Sequence, residues 1–260
     1  MNTSTGPLPS PPRGTVRALA ATACAVILLA GCDSGSGSRA APASPTGPAG
    51  AASATPAPAV PADKAFDPEN ALAAAGQKPY AASIKITNEA NGVPALTMSG
   101  RANLNGLFTG RVEMKSPAAT IESVTTEDTD YFRGLDVEGA QWTKRPRTQG
   151  GSLVSYEAYA KLLLAAGPAA RKGMEDQGGV ATYHLSGHLD LEQIASADPR
   201  TYASMKAKGV TGFDCDQWID SQGRTVRFEQ RFDMRGVKAV NKAVFADFGP
   251  AEKFAAPTGS

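Results

Sequence analysis

The sequence predicts an α+β domain in which a long antiparallel sheet lies under helices. Three observations predict it. Polar and apolar residues alternate with period two before residue 145 and again after residue 180. Hairpin dipeptides separate the alternating runs, and helical composition is confined to the stretch between them and one later segment. Strands in order, a helical insert and then more strands describe an α+β domain, and a sheet apolar on one side must cover that side.

The first strand is read from Tyr80, Ala82, Ile84 and Ile86, which alternate with Ala81, Ser83, Lys85 and Thr87. Asn91-Gly92 is a strong hairpin signal. The return strand, residues 93–104, sets Leu96 and Met98 against Thr97 and Ser99. Asn105-Gly106 is expected to make a second turn of the same kind. Phe108, Gly110, Val112 and Met114 then alternate with Thr109, Arg111, Glu113 and Lys115. Residues 119–127 predict a fourth strand, and 129–134 with 141–144 predict a further short pair.

The period then changes. Residues 152–166 have helical composition, with Ser152 as N-cap and Gly167-Pro168 as stop. Leu153, Tyr156, Ala160 and Leu163 would share one face. Residues 168–177 are expected to form a second short helix that ends at Gly178-Gly179. Strand character returns over 180–189, and 189–208 is helical, broken at Asp198-Pro199 and ended by Gly209. A meander closes the domain, with strands over 210–220, 224–234 and 238–248. In its middle strand Val226, Phe228, Phe232 and Met234 face one way, and Arg227, Glu229, Arg231 and Asp233 the other. A one-residue slip would bury those charges, so register is well specified.

The chain start reads as an export signal, residues 1–31. Arg13 and Arg17 precede a small-to-apolar run from Ala18 to Leu29, and Leu29-Ala30-Gly31-Cys32 matches a bacterial lipobox. The run is shorter than the roughly 20 apolar residues of a membrane span. An ordinary secretory signal would not require cysteine at the cleavage point. Cys32 is therefore expected to carry a diacylglyceryl thioether, whose two acyl chains make a stable membrane anchor. Residues 32–62 form a tether rich in Gly, Ser, Ala and Pro, with almost no bulky apolar side chain to offset chain entropy. The expected location is the extracytoplasmic face of the cell membrane.

Residues 63–257 are read as one domain. They are nearly neutral: removing Arg13, Arg17, Arg39 and Asp33 from the chain's 26 Lys+Arg and 25 Asp+Glu leaves 23 against 24. No basic stripe recommends nucleic acid. Of three cysteines, Cys24 leaves with the signal and Cys32 takes lipid, so Cys215 is alone and a disulfide scaffold is excluded.

The polar constellations are weak. His184 and His188 lie in a strand pattern, where four residues separate them by about 13 Å, too far to share an ion. Asp214, Asp216 and Asp220 read as solvent-facing strand positions, because Gly223 comes too late for a calcium loop. Cys215 shares a face with Phe213 and Ile219 and reads as a buried, unreactive thiol. Neither a nucleophile motif nor a phosphate loop follows Cys32, so the expectation is a protein that is not an enzyme and takes no cofactor or metal.

Tyr183, Gly187 and Asp190 in YHLSGHLD, followed by Asp216, Trp218, Ile219, Asp220, Gly223, Arg224 and Arg227 in FDCDQWIDSQGRTVRF, resemble the actinobacterial LppX/LprG group of lipoproteins. The pattern departs at Gln217, where that group has an apolar residue. The resemblance is best over residues 180–250. It implies the LolA-like fold, a strongly curved antiparallel half-barrel with helices over its concave face, and acylated lipid held between sheet and helices.

That implication gives a role to the inward apolar residues. They are Ile84, Ile86, Leu96, Met98, Phe108, Val112, Met114, Tyr183, Leu185, Phe213, Ile219, Val226, Phe228 and Phe232 on strands, with Leu163 and Met174 on the helical insert. Their ordinary reading is core. Their functional reading is an apolar cavity for acyl chains, for which adaptable methionines suit the wall. The expected function is a membrane-anchored, monomeric carrier of acylated lipids. The alternative is a surface interaction or sensor module that uses the same fold without a lipid.

Overall fold

The computed structural model describes residues 64–75, 78–134, 141–147 and 156–260. Cys32, the signal, the tether, and Ser152 with Leu153 lie outside the described residues. Among the described residues, eleven antiparallel strands form one open sheet. In chain order they are β1 (Tyr80–Ala90), β2 (Val93–Leu104), β3 (Thr109–Lys115), β4 (Thr120–Thr125), β5 (Thr129–Arg133), β6 (Thr143–Pro146), β7 (Arg171–Gln177), β8 (Val180–Asp190), β9 (Gly212–Asp220), β10 (Thr225–Met234) and β11 (Val237–Pro250). Their spatial order is β6-β5-β4-β3-β2-β1-β11-β10-β9-β8-β7.

This order explains where the helices go. The first and last strands pair at the centre, so the chain meanders outward to the β6 edge and must cross the whole sheet to reach the β7 edge. That crossing carries helix α2 (Tyr156–Ala165) over the concave face, where it packs on β8 and β10. Two other helices flank it: α1 (Pro68–Ala74) before the sheet and α3 (Pro199–Ala207) between β8 and β9. Tyr156 and Tyr159 set their rings edge-on or tilted against Phe228, Phe245 and Phe213, and Leu163 is fully buried. The fold is the curved half-barrel with a helical cover that the sequence predicts.

Asn91 and Gly92, with φ of 50° and 80°, form the two-residue turn expected between β1 and β2. Asp198 caps α3 by accepting from the Thr201 amide at 3.0 Å, and Pro199 occupies its first turn.

Three local expectations are corrected. Residues 168–177 are not a helix: Pro168–Ala170 makes a single 3-10 turn and Arg171–Gln177 is edge strand β7. Gly178 and Gly179, with φ of 64° and 90°, turn the chain from Gln177 onto Val180, so this pair is a hairpin signal and no helix stop. Met174 thereby lies on a strand. The β2–β3 connection is the loop 105–108, longer than the tight turn expected, because pairing resumes only at Asn103 with Thr109. In β10 the register passes from Thr225 opposite Ile219 to Arg227 opposite Trp218. That bulge sets Thr225 on the core side, and Val226 is buried outside the main core cluster.

Candidate functional site

A cavity of about 580 Å³ opens at one end of the half-barrel, between the sheet and helices α1 and α2. Its volume falls within the roughly 300–1,000 Å³ of small-ligand sites. Leu104 lines it from the end of β2, Phe108 from the β2–β3 loop, Phe245 from β11, and Tyr156 from α2. Around them stand polar groups: Lys78, Tyr80, Asn103, Asn105, Glu157, Arg224 and Thr225. Phe108, Phe245 and Thr225 are buried, whereas Lys78 is exposed. The lining is therefore mixed: buried Phe108 and Phe245 stand beside buried Asn103 and Thr225, with the charged Lys78 at the exposed rim.

Helix α1 forms a wall of this mouth with Ala74 and Ala75. It can dock there because Gly223 lacks a side chain. A Cβ on Gly223 would lie 2.5 Å from the Ala71 carbonyl oxygen and 2.7 Å from Ala75 Cβ, and φ is +73°. Asp67 caps α1 by accepting from the Asn70 amide at 2.9 Å, Glu69 pairs with Arg171, and Leu72 is buried in the core. The turn 221–223 is held in its own right. Buried Asp220 accepts from the amides of Gln222 and Arg224, each at 2.9 Å, and from Arg224 Nε at 2.8 Å. The Arg224 guanidinium lies 4.2 Å from the centre of the Phe248 ring. Burial pushes the Tyr80 phenol up to about 12, partly offset by the charge of Arg224, so this hydroxyl stays protonated at neutral pH.

Of the apolar set expected from the sequence, Phe108 lines this cavity. Ile84, Ile86, Met98, Val112, Leu163, Leu185, Phe213, Ile219, Phe228 and Phe232 join Phe108 in one buried core cluster, with Met114 and Tyr183 packed against it. Leu96 and Met174 are half-buried and Val226 is buried, all three outside that cluster. Most of this set is therefore part of the buried core. Lys78, Tyr80, Asn105 and Arg224 were missed because they are polar or sit in turns. Arg224 and Gly223 carried a signal, since both belong to the strand-turn motif.

Gln217 is fully buried, although an amide is unexpected at an inward position. Its Nε2 donates to the Tyr156 carbonyl and to Thr225 Oγ1, both at 2.8 Å, and so ties two cavity-lining residues to β9. Its Oε1 is buried without a partner among the described residues.

The outward face of β7–β10 carries a polar network. His184 stacks on Trp218 with centres 4.2 Å apart, and its two ring nitrogens lie 2.8 Å from Glu175 Oε1 and 2.9 Å from Asp216 Oδ1. Trp218 Nε1 donates to Glu175 Oε2 at 2.7 Å, and Arg231 pairs with Asp216. Asp214 is exposed as expected, but Asp216 and Asp220 are 8% and 3% exposed, which corrects their reading as solvent-facing. Their ion pairs and backbone bonds replace water. Burial alone would raise the Asp216 carboxyl, yet hydrogen bonds from His184, Arg231 and Ser186 outweigh it and hold the group well below the usual carboxylate range. His188 pairs with a different carboxylate, Asp214, at 2.9 Å. Cys215 is fully buried, and burial pushes its thiol far above the ordinary range, as does the charge of Asp216. That environment suits an unreactive thiol.

Fold and site define a class: an open antiparallel half-barrel, covered by helices on its concave face, with a cavity of mixed lining at one end. Solved structures similar to this chain include two mycobacterial lipoproteins. The chain is similar to LprF from Mycobacterium bovis (13% identity, 74% of this chain and 95% of that one, TM-score 0.49). It is also similar to the Mycobacterium tuberculosis lipoprotein LppX (12% identity, 72% and 95%, TM-score 0.41). In sequence it is 31% identical over 111 residues to an uncharacterized 31.2 kDa protein of the rplA–rplJ intergenic region in Streptomyces griseus. The match covers 38% of this chain and spans 36% of that relative's length. No protein-family model matches the chain.

Proposed function

We propose that this chain is a lipoprotein of the cell envelope that binds or carries acylated lipid in the cavity, held to the membrane through Cys32. The supporting observation is the cavity itself, lined by Leu104, Phe108, Tyr156 and Phe245 among polar groups, with Lys78 at its exposed rim and α1 as one wall. The tether of residues 32–62 leads directly into α1, so in this reading the anchor delivers the mouth to within a tether's length of the membrane. About 30 flexible residues span about 30 Å on average. The strand motifs that resemble the LppX/LprG group support the same reading. Among the described residues no helix is long and apolar enough to cross a membrane, so attachment here rests on the lipobox.

The test is native mass spectrometry of the full chain extracted from membranes, before and after incubation with acylated lipids. The expected result is a lipid-bound species that weakens when Leu104→Trp fills the cavity. Apo protein that takes up no added lipid would overturn the carrier reading. One observation favours the alternative, an interaction or sensor module: most of the inward apolar residues pack into a solid core. That reading predicts lipid-free protein and a protein partner captured by cross-linking.

A further inference from the structure

We infer that the cavity mouth selects acylated lipids with an anionic, phosphate-bearing head group, gripped between Lys78 and Arg224. This deepens the carrier reading and rests on it. Both cations line the cavity, in company with the neutral, protonated hydroxyl of Tyr80. They differ in how they are held. Asp220 engages Nε of Arg224 at 2.8 Å and its Nη2 at 2.6 Å, and the guanidinium plane rests near Phe248, so its direction is set before any ligand arrives. Lys78 is exposed, and among the described residues its ammonium has no ion-pair partner.

The charge at the mouth supports the choice of ligand. Glu157 also lines the cavity, but Lys161 pairs with it one helical turn away. Asp220 similarly offsets Arg224. Lys78 is left as the uncompensated charge, so the mouth is net positive. A neutral acylglycerol or glycolipid leaves that ammonium to water. A phosphodiester would meet an ammonium and a pre-oriented guanidinium, and charge-assisted bonds to phosphate are about twice as strong as neutral ones. The apolar interior beside these cations takes the acyl chains, so one ligand satisfies both halves of the site.

The experiment uses the full chain in detergent with equal concentrations of phosphatidylglycerol and diacylglycerol bearing the same acyl chains, read by native mass spectrometry. The expected result is at least tenfold preference for phosphatidylglycerol. Lys78→Glu should abolish that preference and Lys78→Arg should keep it, while Lys85→Glu, the same charge change at an exposed strand position outside the cavity lining, should leave it intact. Equal binding of the two lipids, or preference unchanged in Lys78→Glu, overturns the selectivity and leaves the carrier reading standing. Failure to bind either lipid overturns both. Competition by inorganic phosphate at the lipid's own concentration would make the mouth a soluble-phosphate site and also overturn the inference.

Discussion

Gly223 and Asp216 show how single residues decide local architecture. At Gly223 a positive φ and the close approach of α1 coincide, so Gly223→Ala meets backbone strain and a clash with the Ala71 carbonyl together. The expected cost is about 1–3 kcal/mol, read as a lower urea midpoint, with faster hydrogen exchange in α1 than elsewhere. Asp216 acts through charge. Its folded-state pKa lies below the unfolded value of about 3.9, so it contributes stability above that pH, and the contribution is lost as pH falls through its folded value. Asp216→Asn should cost about 1–3 kcal/mol at neutral pH and flatten the acid limb of stability. Urea midpoints between pH 3 and 7 check this, and a variant with the parental acid slope would remove Asp216 from the account.

Among the elements, α2 matters most, because it covers the concave face and also lines the cavity. Leu163 is fully buried beneath it, so Leu163→Ala should cost about 2–5 kcal/mol in denaturant unfolding. Much of the element order was legible in the sequence. The bounds 93–104 of β2, the Asn91-Gly92 turn and the break at Asp198-Pro199 all follow from period and turn chemistry, whereas the role of Asp198 as the cap of α3 came only with the structure. Strand β7 was not legible. Its residues alternate weakly, Pro168 at its head favours a helical start, and Gly178-Gly179 serves equally well as helix stop or hairpin turn. Pairing with β8 decided between them. The bulge at Val226 was hidden for a similar reason: alternation through Val226 and Phe228 reads as unbroken until the partner strand counts one residue fewer.

For the whole molecule, the crossing from one sheet edge to the other creates both cover and cavity. The proposed anchor at Cys32 and the cavity fall in different parts of the chain, so the two proposals are separable by experiment. Cys32→Ala should lose palmitate labelling and release the protein from the membrane, while leaving the lipid selectivity of the isolated chain unchanged. Labelling that persists in Cys32→Ala would remove the anchor from the model.

The sequence by itself determined the α+β class and most strand faces, because each is written in local period or short-range chemistry, and the proposed lipobox rests on the sequence alone. It also carried the strand-turn motif that positions Asp220, Gly223 and Arg224. Only the tertiary structure decided where the space lies. The inward apolar residues of the strands, which the sequence offers as core or as cavity wall, mostly pack into one buried cluster. The opening falls instead at the end of the half-barrel, where Lys78, Tyr80, Asn105, Tyr156 and Arg224 converge from segments far apart in the chain. Whether apolar faces meet or part depends on how far a helix sits from a sheet. That separation is set by many long-range contacts at once, among them the missing side chain of Gly223.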